Sequence, residues 1–115
     1  MGRIYRPIEI IYKKKKSATV AIVDTGSDET VISERIARRV GAELYGTFKA
    51  ICASDTLLEG RYADIKIKDI QTNKVMEVVV GVTDIPFKSD DIDDEGVEII
   101  LGIEFFQKAK INIEF

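Results

Sequence analysis

The stretch of residues 21–34 reads AIVDTGSDETVISE and carries the strongest structural signal in the chain. Its first residues complete an apolar run, residues 18–23, that lies between a lysine-rich segment and Asp24. A short apolar run between two turn signals predicts a buried strand that ends in a sharp turn. Asp24 therefore stands at a partly desolvated strand end, where the pKa of a carboxyl group can depart from its ordinary value. Taken alone, the tripeptide that begins at Asp24 indicates no more than a turn.

A short helix is predicted directly after this stretch. Ser33 is a favourable N-cap residue, and Ile36, Ala37 and Val40 fall on one face of a helix that begins after it. Gly41 is placed to end this helix, because glycine readily takes the left-handed conformation found at helix C-termini. The pattern predicts a helix of about two turns.

The chain on either side of the helix is typical of strands. Residues 8–12 follow Pro7 and indicate a strand that is entered from a sheet edge. Residues 47–53 and 57–62 could form the arms of a hairpin with Ser54 and Asp55 near its tip. A second hairpin is predicted from the alternating and valine-rich segments that follow, residues 63–68 and 75–82.

An acidic segment, residues 89–96, separates these hairpins from the end of the chain. A strand at residues 97–101, a short amphipathic stretch through Phe105 and Phe106, and a terminal strand at residues 109–115 are predicted after it. The predicted fold class is therefore all-β, mainly strands with one or two short helices. A length of 115 residues, with 45% apolar and 32% charged, suits one core, and we expect residues 1–115 to form a single domain.

The composition limits the functions that the chain can have. A formal net charge of −3 gives no electrostatic reason to expect nucleic acid as a partner. The basic run at residues 13–16 is interpreted as a solvated turn, with a surface that contacts an acidic partner as the alternative. The sequence contains no histidine, which excludes Ser-His and Cys-His nucleophile systems and every His-ligated metal site.

The location of the protein is predicted from what the sequence lacks. The single cysteine, Cys52, cannot form an internal disulfide, and the N-terminus does not have the pattern of a secretory signal. No apolar run approaches the roughly 20 residues that a membrane span needs. We therefore expect a cytoplasmic protein that does not use a membrane as a partner.

The stretch quoted above closely resembles the active-site segment of the retropepsins, the single-lobe aspartic peptidases of retroviruses and their cellular relatives. A second motif, EIILG at residues 98–102, resembles the aliphatic-aliphatic-glycine strand of that family, with Leu101 and Gly102 at its end. Two motifs in this order, about 75 residues apart, are more specific than either one alone. The resemblance implies a retropepsin-like half-barrel whose active site is completed by dimerisation.

The resemblance also implies roles for individual residues. Asp24 would be the catalytic carboxylate, Thr25 would hydrogen-bond across a dimer, and Gly26 would let substrate approach the backbone. Ser27 and Asp28 would contribute to substrate binding. Residues of the flap tip would contribute as well, namely Ala53, Ser54 and Asp55.

A second catalytic carboxylate must come from another chain. Two carboxylates held close together share one proton, so that one acts as a general base on water and the other as a general acid. This sequence has one Asp-Thr-Gly, since Asp55-Thr56 is followed by leucine. The implied enzyme is an aspartic endopeptidase that acts on peptide or protein substrates as a homodimer, with Asp24 from each subunit.

Two departures from the family pattern favour an alternative reading. Retroviral relatives often carry an arginine soon after the second glycine, where this chain has Ile103 and Glu104, and many flap tips are richer in glycine than residues 51–56. The alternative is a catalytically weak or inactive domain that dimerises or binds peptides.

No metal or other cofactor is predicted for the chain. Asp91, Asp93 and Glu95 partly imitate an EF-hand calcium loop, but the pattern requires an acidic residue where Gly102 stands. A solvated acidic loop is therefore the preferred interpretation of residues 89–96.

Overall fold

The structure is a computed structural model that describes residues 4–24, 29–51, 57–84 and 99–110, with only the backbone of Ile4, Asp24 and Ile51. Within these ranges the chain forms mostly strands and two short helices, as the sequence predicts. In chain order the elements are β1 (Ile4–Tyr12), β2 (Lys15–Asp24), β3 (Val31–Ser33), α1 (Glu34–Val40), β4 (Tyr45–Ile51), β5 (Leu57–Asp69), β6 (Val75–Thr83), β7 (Ile99–Gly102) and α2 (Ile103–Ala109).

The strands form a sheet that closes on itself. The strand order is β1-β2-β7-β3-β6-β5-β4, and an additional pairing joins β1 to β5. Six strands therefore make a barrel, with β4 attached to the first part of β5. This closure takes place within one chain, and it is the part of the architecture that the sequence analysis does not predict.

β5 is the longest strand and belongs to both predicted hairpins. Its first part pairs with β4, where Ile51 lies opposite Leu57, and its remainder pairs with β6, where Ala63 lies opposite Val80. The sequence predicts two separate strands over this range, which is wrong. Both hairpins are nevertheless present, because one continuous strand supplies an arm to each of them.

β1 begins earlier than the sequence predicts and contains Pro7 within it. Pro7 lies opposite Val20 on β2, and its carbonyl accepts a hydrogen bond of 3.2 Å from the backbone N–H of Ile70. The nitrogen and oxygen of one strand residue point to the same side, so the missing N–H of Pro7 faces the end of β5 rather than β2. The pairing of β1 with β2 is therefore kept.

The turn between β1 and β2 confirms the solvated interpretation of the lysine run. Tyr12 pairs with Lys15, which leaves Lys13 and Lys14 as a two-residue loop, and all four lysines of this run are exposed.

The local signals for α1 are confirmed. The Oγ of Ser33 accepts a hydrogen bond of 3.1 Å from the backbone N–H of Ile36, and Gly41 ends the helix with φ of 72°. The side chains of the predicted apolar face are buried, namely Ile36, Ala37 and Val40.

The main core fills the barrel and continues beneath the two helices. It contains apolar residues from all described elements except β4. Its largest fully buried side chains include Ile8, Ile10, Ile32, Ile36, Ile67, Ile99, Leu101, Phe105 and Phe106. A second cluster consists of Val31, Phe48 and Leu58, with Ala50 and Tyr62 packed against it.

Two further expectations need correction. The apolar run at residues 18–23 predicts a buried strand, but Ala21 is fully buried while Val20 is 49% exposed, because side chains of a strand alternate between the two faces of the sheet. Ala109 belongs to α2 and not to a terminal strand. Residues 111–115, the rest of that predicted strand, lie outside the described residues.

Candidate active site

The backbone of Asp24 lies at the end of β2, next to the end of the second motif. β2 and β7 run parallel, with Val23 opposite Leu101 and Asp24 opposite Gly102. The two stretches that the sequence analysis singled out are thus neighbouring strands that end at the same level. Gly102 is also the N-cap residue of α2, so a helix begins directly beside the strand end that carries Asp24.

Thr30 connects the end of β7 to β6. The backbone N–H of Gly102 donates a hydrogen bond of 3.1 Å to the Oγ1 of Thr30. The backbone N–H of Gly81 donates one of 3.0 Å to the carbonyl oxygen of the same residue. Thr30 is 3% exposed, so water competes little with the two hydrogen bonds that its oxygens accept.

The second apolar cluster lies close to the same end of the barrel. Val31 pairs with Ile100, which is two residues before Gly102, so it lies about 7 Å along the strand from the Asp24 pairing. Phe48 brings β4 against this region, and a Cβ on Gly81 would lie 2.6 Å from its ring. The glycine therefore lets the aromatic ring pack directly on the backbone of β6.

The base of the first hairpin is attached to this cluster. Phe48 and Leu58 belong to the two arms of the hairpin, and the Phe48 ring meets the Tyr62 ring edge to face at 5.5 Å. The last described pair of the hairpin is Ile51 opposite Leu57, directly before the predicted flap tip. The hairpin arms thus extend from an apolar cluster that also contains Val31 of β3.

An ion pair lies along the flank of α2. The Nε and Nη2 of Arg6 donate to the two carboxylate oxygens of Asp69 at 2.6 and 2.8 Å. The Arg6 guanidinium also lies 5.7 Å from the centre of the Phe106 ring, on the buried face of the helix. Thr72 adds two hydrogen bonds to Asp69, from its backbone N–H and its hydroxyl.

These contacts set the charge state of Asp69. Its side chain is fully buried, which by itself would raise the pKa of the carboxyl group, but the hydrogen bonds from Arg6 and Thr72 outweigh burial and hold that pKa below its ordinary value. The pKa of Arg6 is raised, chiefly by its hydrogen bonds to Asp69. The pair is therefore ionised at neutral pH.

The C-terminal end of α2 has its own partner. The Nζ of Lys74, on the turn between β5 and β6, donates to the carbonyl oxygens of Ala109 and Lys110 at 3.0 and 3.1 Å. A cation at this end of a helix neutralises the partial negative charge of the last carbonyls. The helix beside Asp24 is thus held at both ends and along its flank.

Several predicted site residues lie outside the described residues. They are Thr25, Gly26, Ser27 and Asp28 of the first motif and Ala53, Ser54 and Asp55 of the flap tip. Of the remaining predicted residues, the structure brings the backbone of Asp24 together with Leu101 and Gly102. Leu101 is fully buried and belongs to the main core, which agrees with a structural role.

The described residues hold no group of three or more side chains of the types that bind metals. The acidic segment that partly imitates a calcium loop lies outside them. Among the described helices, neither is long and apolar enough to cross a membrane.

Comparison with protein families gives a match that spans residues 13–108, to the family described as "gag-polyprotein putative aspartyl protease". The chain belongs to this aspartyl protease family. A search of curated protein sequences found no match.

Solved structures of retroviral-type proteases share the fold of this family member. The EIAV protease, solved in complex with the inhibitor HBY-793, superimposes with a TM-score of 0.67 at 17% identity, over 99% of this chain and 94% of that one. The retroviral protease-like domain of Ddi1 from Leishmania major gives 0.59 at 14% identity, over 100% and 83%. The retropepsin-like fold expected from the two motifs is confirmed.

The structure of this aspartyl protease family member also reveals contacts that sequence reasoning missed. Thr30 was part of the quoted motif, and its position directly before two apolar residues was the available signal for a buried hydroxyl. Arg6 and Asp69 are 63 residues apart and gave no signal at all. Glu104, one of the two residues that depart from the family pattern described above, pairs with Lys108 at 3.1 Å on the exposed face of α2.

Proposed function

We propose that the chain is an aspartic endopeptidase that hydrolyses peptide bonds with a water molecule activated by two Asp24 carboxylates, one from each subunit of a homodimer. The observation that carries the proposal is the pairing of Asp24 with Gly102, which places the first motif against the second at one end of the barrel. Membership of the aspartyl protease family supports the same chemistry.

The mechanism requires the second subunit. A lone carboxylate can accept a proton from water, but the substrate carbonyl also needs a proton donor on its other side. Two carboxyl groups that share one proton supply both, because close like charges keep one of them protonated. The chain carries one Asp-Thr-Gly, so in this proposal the active site lies on the two-fold axis of a symmetric dimer.

The remaining residues receive roles within this proposal. Thr25 would hydrogen-bond across the dimer, and Gly26 would admit the substrate to the backbone of the catalytic turn. Ser27 and Asp28 would contact the substrate from one side. The flap tip would cover it from the other side with Ala53, Ser54 and Asp55, at the end of the hairpin arms that β4 and β5 form.

The proposed chemistry implies the substrate class. An extended peptide would suit a site covered by a hairpin, because its backbone could hydrogen-bond to the hairpin and its side chains could be buried. We therefore propose a peptide or protein substrate and a cytoplasmic enzyme, with residues 1–115 acting as one domain.

The test is a digest of a peptide library between pH 3 and 7 by the wild-type chain and by Asp24→Asn. The amide has nearly the shape of the carboxyl group but cannot act as a general base, so we expect a loss of activity on the order of a thousandfold or more. Thermal unfolding of both proteins provides the control for folding. Equal cleavage by the two proteins would contradict the proposal.

A mixing experiment tests the shared site directly. Co-refolding a fixed amount of wild-type chain with an equal amount of Asp24→Asn should lower its activity to about half, because mixed dimers carry one intact carboxylate. A site complete within one chain would lose no activity.

A statine-type inhibitor distinguishes the inactive alternative, since an active enzyme binds a transition-state analogue much more tightly than a substrate.

A further inference from the structure

Thr30 is the buried residue through which the end of β7 is fixed to β3 and β6. Its hydroxyl oxygen accepts from the N–H of Gly102, and its carbonyl accepts from the N–H of Gly81. Thr30 immediately precedes β3, which pairs with β6 on one side and with β7 on the other. One residue thus contacts the backbone of both neighbouring strands.

The hydroxyl adds a side-chain contact to the strand pairing that holds Gly102. Glycine has no side chain that could pack in the core, and its backbone is freer than that of other residues. At the start of α2 it makes no side-chain capping hydrogen bond of its own. The bond from its N–H to Thr30 therefore restrains the point where strand β7 becomes helix α2.

The restraint passes directly to Asp24. Gly102 lies opposite Asp24 in the parallel pairing of β7 with β2. A shift of the Gly102 backbone would therefore also displace the end of β2, which carries the carboxylate. A catalytic group must be held to within a fraction of an ångström, and misplacement by about 1 Å can cost a hundredfold in rate.

We propose that Thr30 is a positioning residue for the catalytic carboxylate, with its hydroxyl holding the Gly102 backbone against which Asp24 is aligned. This inference rests on the proposed function, since it assigns Thr30 a part in the same reaction. Thr30 does not touch the substrate in this proposal. It acts through Gly102, and the two equivalent residues of a dimer would set the separation of the two carboxyl groups.

The first test compares Thr30→Val with a matched control, Thr83→Val. Thr83 is also 3% exposed, and its hydroxyl donates to the carbonyl oxygen of Glu59 at 2.7 Å, away from β7. Both changes replace a buried hydroxyl by a methyl group and leave a backbone group without its partner. The two variants should therefore lose similar amounts of thermal stability.

The kinetic results should differ between the two variants. We expect Thr30→Val to lower kcat by about tenfold to a hundredfold with little change in KM. The pH values at which activity rises and falls should also change. Thr83→Val should keep the wild-type kcat and pH profile. Thr30→Ser, which retains the oxygen, should recover most of the lost rate.

Two structural measurements test the positioning role of Thr30 without relying on peptide cleavage. The ¹³C NMR titration of the Asp24 carboxyl group should be displaced in Thr30→Val and unchanged in Thr83→Val, while hydrogen exchange of the Gly102 amide should be faster only in Thr30→Val. If the valine variant does not fold, Thr30→Cys provides a weaker acceptor and should give an intermediate displacement.

The outcomes separate this inference from the proposed function. A wild-type protein that cleaves no peptide, yet shows the displaced titration in Thr30→Val, contradicts the proposed function and supports the positioning role. A Thr30→Val protein whose kcat and titration match those of Thr83→Val overturns the positioning role, whether or not the chain is a peptidase.

Discussion

The two ends of α2 are held by different chemistry. At its start, beside Asp24, the contact is a neutral hydrogen bond between the Gly102 amide and the Thr30 hydroxyl. Along its flank and at its end the contacts are charged, from the ion pair of Arg6 with Asp69 and from Lys74. A neutral support holds the strand end without adding a fixed charge that would shift the pKa of a nearby carboxyl group. We infer that the charged contacts along the flank and at the end of α2 serve stability.

Removal of the buried carboxylate should have the largest effect on stability. Asp69→Asn keeps the side-chain shape but leaves Arg6 without its counter-charge, and breaking a buried pair in this way costs about 3–5 kcal/mol of unfolding free energy. Urea unfolding at a fixed protein concentration measures the change. Because the support at the other end of α2 is intact, the variant should still cleave peptides at temperatures where it is folded.

Glu34→Gln is the matched control for this change. Glu34 pairs with Arg38 at 3.4 Å, but both side chains are well exposed, so the loss should be below about 0.5 kcal/mol. A small loss in both variants would show that the Arg6–Asp69 pair does not stabilise the flank as we infer.

The same ion pair predicts a smaller, pH-dependent effect. The pKa of Asp69 is lowered from 3.8 in the folded chain, so the unfolded state binds a proton first as the pH falls. The stability from this group is complete above the unfolded pKa and is lost as the pH falls through the folded pKa. The difference in unfolding free energy between wild type and Asp69→Asn should therefore be constant near pH 7 and shrink below about pH 4. A difference that stays constant down to pH 2 would contradict this assignment.

Elements with local signals could be predicted from the sequence. Ser33 and Gly41 mark the ends of α1 by the chemistry of their own side chains and backbones, and the second motif marks β7 and the start of α2. The second hairpin follows from alternation and turn residues, whereas the periodicity of the first is poor. Of the candidate site, the structure describes the pairing of Asp24 with Gly102, which agrees with the two recognisable motifs.

Contacts between distant segments could not be predicted in this way. The closure of the barrel depends on β1 pairing with β5, and the hydrogen bonds of Arg6 join it to a residue far along the chain. The continuity of β5 was missed because residues 57–62 and 63–68 were assigned to two separate hairpins, with Gly60 inside the first of them. A Cβ at that position would lie 1.8 Å from the carbonyl oxygen of Val82, so the glycine is set by a close approach that only the folded chain shows.

The smallest expected effect is a shift of the pH optimum of activity when Ser27 is changed. Ser27 stands three residues after Asp24 in the first motif, and in the proposed enzyme its hydroxyl would donate a hydrogen bond to the ionised carboxylate. A hydroxyl that donates to the ionised carboxylate lowers the pKa of that group, so Ser27→Ala should move the activity optimum to higher pH. A hydrogen bond worth roughly 0.5–1.5 kcal/mol corresponds to a shift of about half a unit to one unit.

The pH profile of kcat/KM for wild type and Ser27→Ala measures this shift, and urea unfolding of both proteins at pH 7 completes the comparison. If Ser27 contacts the substrate as proposed, the stability of Ser27→Ala should stay within about 0.5 kcal/mol of wild type. Asp69→Asn should give the reverse, a large loss of stability with peptide cleavage retained. Suppose that Ser27→Ala instead lost stability and kept the wild-type pH optimum. The proposal that the residues beside Asp24 serve catalysis, while the charged contacts of α2 serve stability, would then be wrong for Ser27.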